Sequence, residues 1–339
     1  MKRFGIWWLV SLVGTLGLAQ KTLVVSGFGL NQNLIDKNIS RPFEAKCGCK
    51  VVWEVGNNAD RLAKLVARKD NPNIDVVLMT DLFSLQAAKQ GIFQPLDSGK
   101  LSNYNRIYDF AKNPLGSNFG VGFTTYSISI VYRTDKITTP IRSWRDLWRP
   151  ELAKRIVLPN ITTSSGLPVV SMLNKAWGGT NSDDGPVFAK LAELKPRVLT
   201  YYNSSAQLAQ LFAQDEIWAA PVGRFAWGNM VRTGKPVAWA FPKEGQPGVI
   251  NTASIVKGTK EEALAYQFID FILSDEVQLA EAIDLVDSPV NKIIKVPVEK
   301  AEQLTADPIQ IRSLKFADFN YLLGVQAGWI DRWNREIAR

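Results

Sequence analysis

Residues Ser143 to Gly179 read SWRDLWRPELAKRIVLPNITTSSGLPVVSMLNKAWGG. Within them Ile156-Val157-Leu158 predicts a short buried strand, and the hydroxyl cluster Thr162-Thr163-Ser164-Ser165-Gly166 precedes a helix whose first turn suits Pro168. A strand running into a polar helix entrance brings backbone N–H groups and hydroxyls to one spot, where they can hold a carboxylate, a phosphoryl group or a neutral polar solute. The same hydroxyls also suit simple helix capping.

Working toward the N-terminus, the pattern is an alternation of strand and helix. Lys21 to Ser26 predicts a strand ending in Gly27-Phe28-Gly29. A polar helix follows to about Lys46, then a strand Lys50 to Val55 and a helix Ala59 to Lys69. IDVVLM, Ile74 to Met79, is apolar enough for a strand covered on both faces, and Asp81-Leu82-Phe83 opens a helix that stops at Gly91. Such a right-handed series builds a parallel sheet, and ligands sit beyond the carboxyl ends of its strands. Those ends are Ser26 to Gly29, Gly56 to Asn58, and Thr80-Asp81.

Toward the C-terminus a crossing strand, Gly120 to Tyr132, leads into a second αβ unit. Its predicted elements are helices at Pro186 to Leu194 and Ser204 to Gln214, strands Ile217 to Pro221 and Pro236 to Phe241, and a helix from Phe225. Val249 to Val256 returns to the first unit, followed by a helical region Lys260 to Asp284 and C-terminal helices. The expected organisation is a leader at 1–19, a first lobe at 20–125 plus about 250–300, a second lobe at 126–249, and C-terminal helices at 301–339. Two crossings between lobes make a hinge.

Met1-Lys2-Arg3, an apolar core from Phe4 to Leu18, and the small residues around Ala19 have the form of a cleaved signal peptide. No cysteine stands at that junction for lipid attachment, so a free periplasmic protein is expected; a monomer is the expected state. The chain holds 40 basic and 32 acidic residues, a net charge of +8, and loss of Lys2 and Arg3 trims that excess by two. The charge is spread and interrupted, with no nucleic-acid-binding stripe. Cys47 and Cys49 can close a small disulfide in an oxidising compartment.

The absence of histidine rules out Ser-His-Asp and Cys-His nucleophile pairs and removes the commonest zinc ligand. The pairs Asp183-Asp184 and Glu261-Glu262 leave carboxylate catalysis formally open, but both fall where helix starts are expected. No cofactor or metal is called for.

IDVVLMTDLFSLQAAKQGIFQPLD (Ile74 to Asp97), SWRDLWRPELAKRIVLPNITTSSG (Ser143 to Gly166), FPKEGQPGVINTASIVKG (Phe241 to Gly258) and SPVNK (Ser288 to Lys292), in that order behind an exported N-terminus, resemble the solute-binding proteins of bacterial ABC importers. Within that superfamily the spermidine/putrescine-binding type is the group resembled, over essentially the whole mature chain. The resemblance implies a two-lobed α/β fold of type II periplasmic binding proteins, with a hinge and interlobe cleft. It also implies that the protein closes on a small solute, delivers it to a permease in the inner membrane, and has no catalytic activity. A secreted carboxylate-dependent enzyme and a ligand-presenting sensor component are the other readings.

Polyamine-binding members hold ammonium groups with carboxylates. The position matching one of these is Asn251, and others match Asn160 and the stretch Ile161 to Ser164. Ferric binders of the superfamily carry tyrosines where this chain has Arg224-Phe225-Ala226-Trp227, and Tyr201-Tyr202 suits strand packing. The expected ligand-binding set is Phe28, Asn57, Asn58, Thr80, Asp81, Tyr126, Thr163, Ser164, Ser165, Arg224, Trp227 and Asn251. With Arg224 as a cation, a carboxylate, phosphoryl or phosphonate solute is preferred over spermidine or putrescine. Asp81, Glu54 or Glu244 remain as possible acids.

Overall fold

The computed structural model describes residues 20–338 apart from 182, so the expected leader at 1–19 lies outside the described residues. Strands β1 (Thr22–Gly27), β2 (Lys50–Val55) and β3 (Val76–Thr80) pair in parallel. All five residues of β3 are buried, because helices cover both faces. Val76 and Leu78 pack into a core with Phe43, Phe268 and Ile272, while Val77 and Met79 point to the opposite core with Leu65 and Phe83.

The 13-residue β4 (Val121–Arg133) is the first crossing. β5 (Ile156–Pro159), β6 (Val198–Tyr202), β7 (Ala219–Gly223), β8 (Val237–Trp239), β9 (Pro247–Ile255), β10 (Ser288–Pro289) and β11 (Lys315–Phe316) complete the sheet. The strand order is β2-β1-β3-β9-β4-β7-β5-β6. Val121 to Ser127 of β4 pair with β9 on the first side, whereas Ile128 to Tyr132 pair with β7 on the second. One strand thus belongs to both halves. β7 lies two residues later than the apolar pattern suggests, and the helical region Lys260 to Asp284 divides into Glu262–Ile272 and Asp275–Ile283, with Ser274 capping the latter.

A third passage between the halves joins the two that were expected. Thr305 accepts a hydrogen bond from the Ser127 backbone N–H at 3.0 Å, and β11 pairs with β9 before the helix Phe319–Arg332 packs Leu322 and Trp329 into the second core. The C-terminal helix is therefore part of that core rather than an appendage. Trp144 anchors the segment Ser143 to Gly179: it is wholly buried, and its Nε1 donates to the Gly245 carbonyl at 3.0 Å. Cys47 and Cys49 are joined by a disulfide. Among the described residues no helix is long and apolar enough to cross a membrane.

Candidate solute-binding site

Between the halves lies a cavity of about 100 Å³ where strand ends and crossing strands meet. Phe28 follows β1, Thr80 ends β3, Asn251 sits in β9, Tyr126 in β4, and Ser164 and Phe225 face them from the second half. Register explains the grouping. Thr80 and Thr124 flank Asn251 on neighbouring strands, so the three side chains share one face. Pairing of Ser288 with Thr125 then brings the preceding residue, Asp287, onto the same wall.

Asp287 is buried and accepts from Thr124 Oγ1 at 2.8 Å, Asn251 Nδ2 at 2.7 Å and its neighbour's Ser288 N–H at 2.7 Å. Burial pushes its carboxyl up to about 7, more than these hydrogen bonds pull it down. Glu281, also on the wall, is pushed up to about 8, chiefly by burial and further by repulsion from Asp287 and Asp284, while Asn38 opposes the shift. Asn251 Oδ1 and the Tyr126 hydroxyl are buried without hydrogen-bond partners among the described residues. Among the described residues no lysine or arginine lines this cavity. The arrangement is an acceptor-rich, aromatic chamber with buried carboxyls that lack a cation.

Of the expected residues, Phe28, Thr80, Tyr126, Ser164 and Asn251 meet here. Asn58 lies just behind and donates to Thr80 Oγ1 at 3.1 Å and across the cleft to Ser164 Oγ at 2.7 Å. With the Asn229 to Asn31 hydrogen bond of 3.1 Å, this holds the two halves in a closed arrangement. Asp81 borders a smaller adjoining void and accepts from the Leu82 and Ile250 backbone N–H groups; burial pushes it up to about 7.

The others are placed elsewhere, each held by its own partners. Thr163 Oγ1 donates to the Asn160 carbonyl at 2.8 Å within its own turn, and Ser165 is buried beside the Tyr202 hydroxyl. Arg224 is buried but outside the cavity lining: its Nε and Nη2 donate to the Gln303 and Glu302 carbonyls, and the nearly perpendicular rings of Trp227 and Trp239 flank its guanidinium at 4.7 and 4.5 Å. Trp227 is thereby committed too. Glu54 pairs with Arg68 at 2.8 Å, and Glu244 accepts from Ser143 Oγ and the Trp144 N–H. Asp184 pairs with Arg332, and Glu262 with Lys100.

Asn57 is exposed and caps the helix Asn58–Ala67, accepting from the Asp60 N–H at 2.8 Å. Asn57→Ala is expected to lower stability by about 1 kcal/mol and leave solute affinity unchanged, as melting curves beside calorimetry would read. Asp287, Glu281, Phe123, Thr124 and Phe225 were missed in the sequence. The available signal was the position of Asp287 immediately before the SPVNK stretch.

A cavity between two halves that share the crossing strand β4, bridged by hydrogen bonds from one half to the other, defines a hinged solute-binding protein. A family model described as bacterial extracellular solute-binding protein matches residues 38–308, and the chain belongs to that family. It is 26% identical over 289 residues to a putrescine-binding periplasmic protein of Escherichia coli, covering 78% of this chain and 76% of that one. It is 25% identical over 355 residues to a gamma-aminobutyric acid-binding protein of Pseudomonas aeruginosa, covering 99% and 96%. Among solved structures, an ABC transporter from Clostridium perfringens is 35% identical with a TM-score of 0.76, over 93% of this chain and 99% of that one. The chain is accordingly the solute-binding component of an ABC importer, of the polyamine-type family, and both the fold and the resemblance read from the sequence hold.

Proposed function

We propose that this protein works in the periplasm, after removal of residues 1–19, as a monomer that closes without chemical turnover on a small solute bearing an ammonium group. The lobes are those bounded at 126 and 249, with the C-terminal helix joined to the second. Asp287 is the ammonium anchor. The observation that carries this reading is a buried carboxyl on the cavity wall with no cationic partner among the described residues, since burying such a group is costly unless a positive charge arrives to pair with it. Asn251 Oδ1 adds a second acceptor, and Phe28, Tyr126 and Phe225 can enclose the attached alkyl chain. The preference for an anion relied in part on Arg224 facing the cleft, but Arg224 does not line this cavity, and its Nε and Nη2 donate to backbone carbonyls. Putrescine and gamma-aminobutyric acid, named for two relatives, share the ammonium group.

Calorimetry of the ligand-stripped protein against small amines, with butyrate and neutral polyols as counterparts, tests the reading. Saturable binding of amines alone is expected, with a smaller radius of gyration in solution scattering once the hinge closes. Binding of butyrate or a polyol with no response to any amine would overturn it.

A further inference from the structure

The opposite end of the cavity is built to donate. Arg61 is fully buried there, with Nε donating to the Gly56 carbonyl at 3.1 Å, Nη1 to the Leu78 carbonyl at 2.7 Å and Nη2 to Asn58 Oδ1 at 2.6 Å. A guanidinium has no acceptor, so the Asn58 carbonyl must face it and the Asn58 NH₂ must face outward. That NH₂ donates to Thr80 Oγ1 and Ser164 Oγ. Each hydroxyl accepts one hydrogen bond and keeps its own proton, for which no acceptor is found among the described residues. Thr80 and Ser164 both line the cavity, and the unpartnered Tyr126 hydroxyl is a third potential donor.

The charge distribution follows the same axis. Arg61 stays cationic behind the hydroxyls, its guanidinium 5.0 Å from the Phe28 ring, while Asp287 and Glu281 stand at the other end; the Asp81 carboxyl next to Thr80 is engaged by the Leu82 and Ile250 backbone N–H groups. Thr80 is directly opposite Asn251, and Thr124 is one strand further, so the donor end and the Asp287 end are one to two strand spacings apart, roughly 5 to 10 Å. We propose that the solute is a short zwitterion, with its ammonium against Asp287 and Asn251 and its carboxylate against the Thr80 and Ser164 hydroxyls. Arg61 acts as a positioning residue that fixes the direction of the Asn58 amide. This rests on the ammonium reading above and adds the chemistry of the second end. A diamine would set its second ammonium toward Arg61 and leave both hydroxyl protons without an acceptor.

The test is calorimetry at pH 8 on the stripped full chain with gamma-aminobutyrate, putrescine and butylamine, and with their homologues one and two methylenes longer. Within the best length, the zwitterion is expected to bind at least about tenfold tighter than the diamine and the monoamine. Ser164→Ala and Thr80→Val should shrink that gap about fivefold or more by weakening only the zwitterion, and Thr80→Ser should preserve it, with melting curves checking that each variant is folded. Equal or tighter binding of the diamine, or a gap unchanged in both Ser164→Ala and Thr80→Val, overturns the zwitterion while leaving the ammonium anchor intact. Heat from butyrate alone, with none from any amine, overturns both.

Discussion

Replacing Asp287 by asparagine is expected to weaken amine binding by a factor of about 100 or more, because a buried ammonium left without its carboxylate costs on the order of 3–5 kcal/mol. The substitution keeps the shape of the side chain, so Ser288 N–H and Asn251 still have partners after the Asn251 amide turns over. The fold should survive. Removing the charge also removes its burial cost, so empty Asp287→Asn protein should be at least as stable at pH 8 as the parent. Calorimetry for affinity and a melting curve for stability separate the two effects. Amine affinity within threefold of the parent would remove Asp287 from the site.

The empty protein is expected to lose stability between pH 5 and pH 8, the reverse of what surface ion pairs produce. Asp81 and Asp287 are pushed up to about 7 and Glu281 to about 8, each mainly by burial, whereas in the unfolded chain such groups ionise near pH 4. Across this window the folded state holds more protons than the unfolded one, so stability falls as pH rises and levels off above the folded values. Each unit of elevation corresponds to about 1.4 kcal/mol, and the three groups together should exceed ~3 kcal/mol. Carboxyls held low by a cation, such as Asp135 and Asp215 beside Arg133, act oppositely but only on the acid side, below about pH 4. A bound ammonium favours the ionised Asp287, so amine affinity should rise up to tenfold per pH unit below about pH 7 and the ligand should raise the melting temperature more at pH 8 than at pH 5. Calorimetric scans at both pH values give the answer, and a melting temperature flat or rising with pH in the empty protein would contradict it.

The amino-acid pattern alone determined the strand–helix alternation, because periodicity and caps are local. Val76–Thr80 is apolar throughout since both its faces are covered, and the helix Asp81–Lys89 stops where Gly91 takes a positive φ of 71°. It also brought Phe28, Thr80 and Ser164 to the cavity, since they follow or end strands of parallel pairs whose carboxyl ends face a common cleft, whereas Tyr126 and Asn251 reach it from within the antiparallel pair β4 and β9.

What tertiary structure decided was where the charges point. The strand-to-helix turn aims Arg224 near the cleft, but its partners are the carbonyls of Glu302 and Gln303, 78 and 79 residues away, and two tryptophans that hold its plane. Asp287 reaches Asn251 from 36 residues downstream, because the two-residue strand β10 docks on β4. Local pattern records which residues can carry charge and which backbone segments are regular. Whether a carboxylate or a guanidinium faces a solute depends on long-range pairing, since a buried charge turns toward whichever distant group satisfies it.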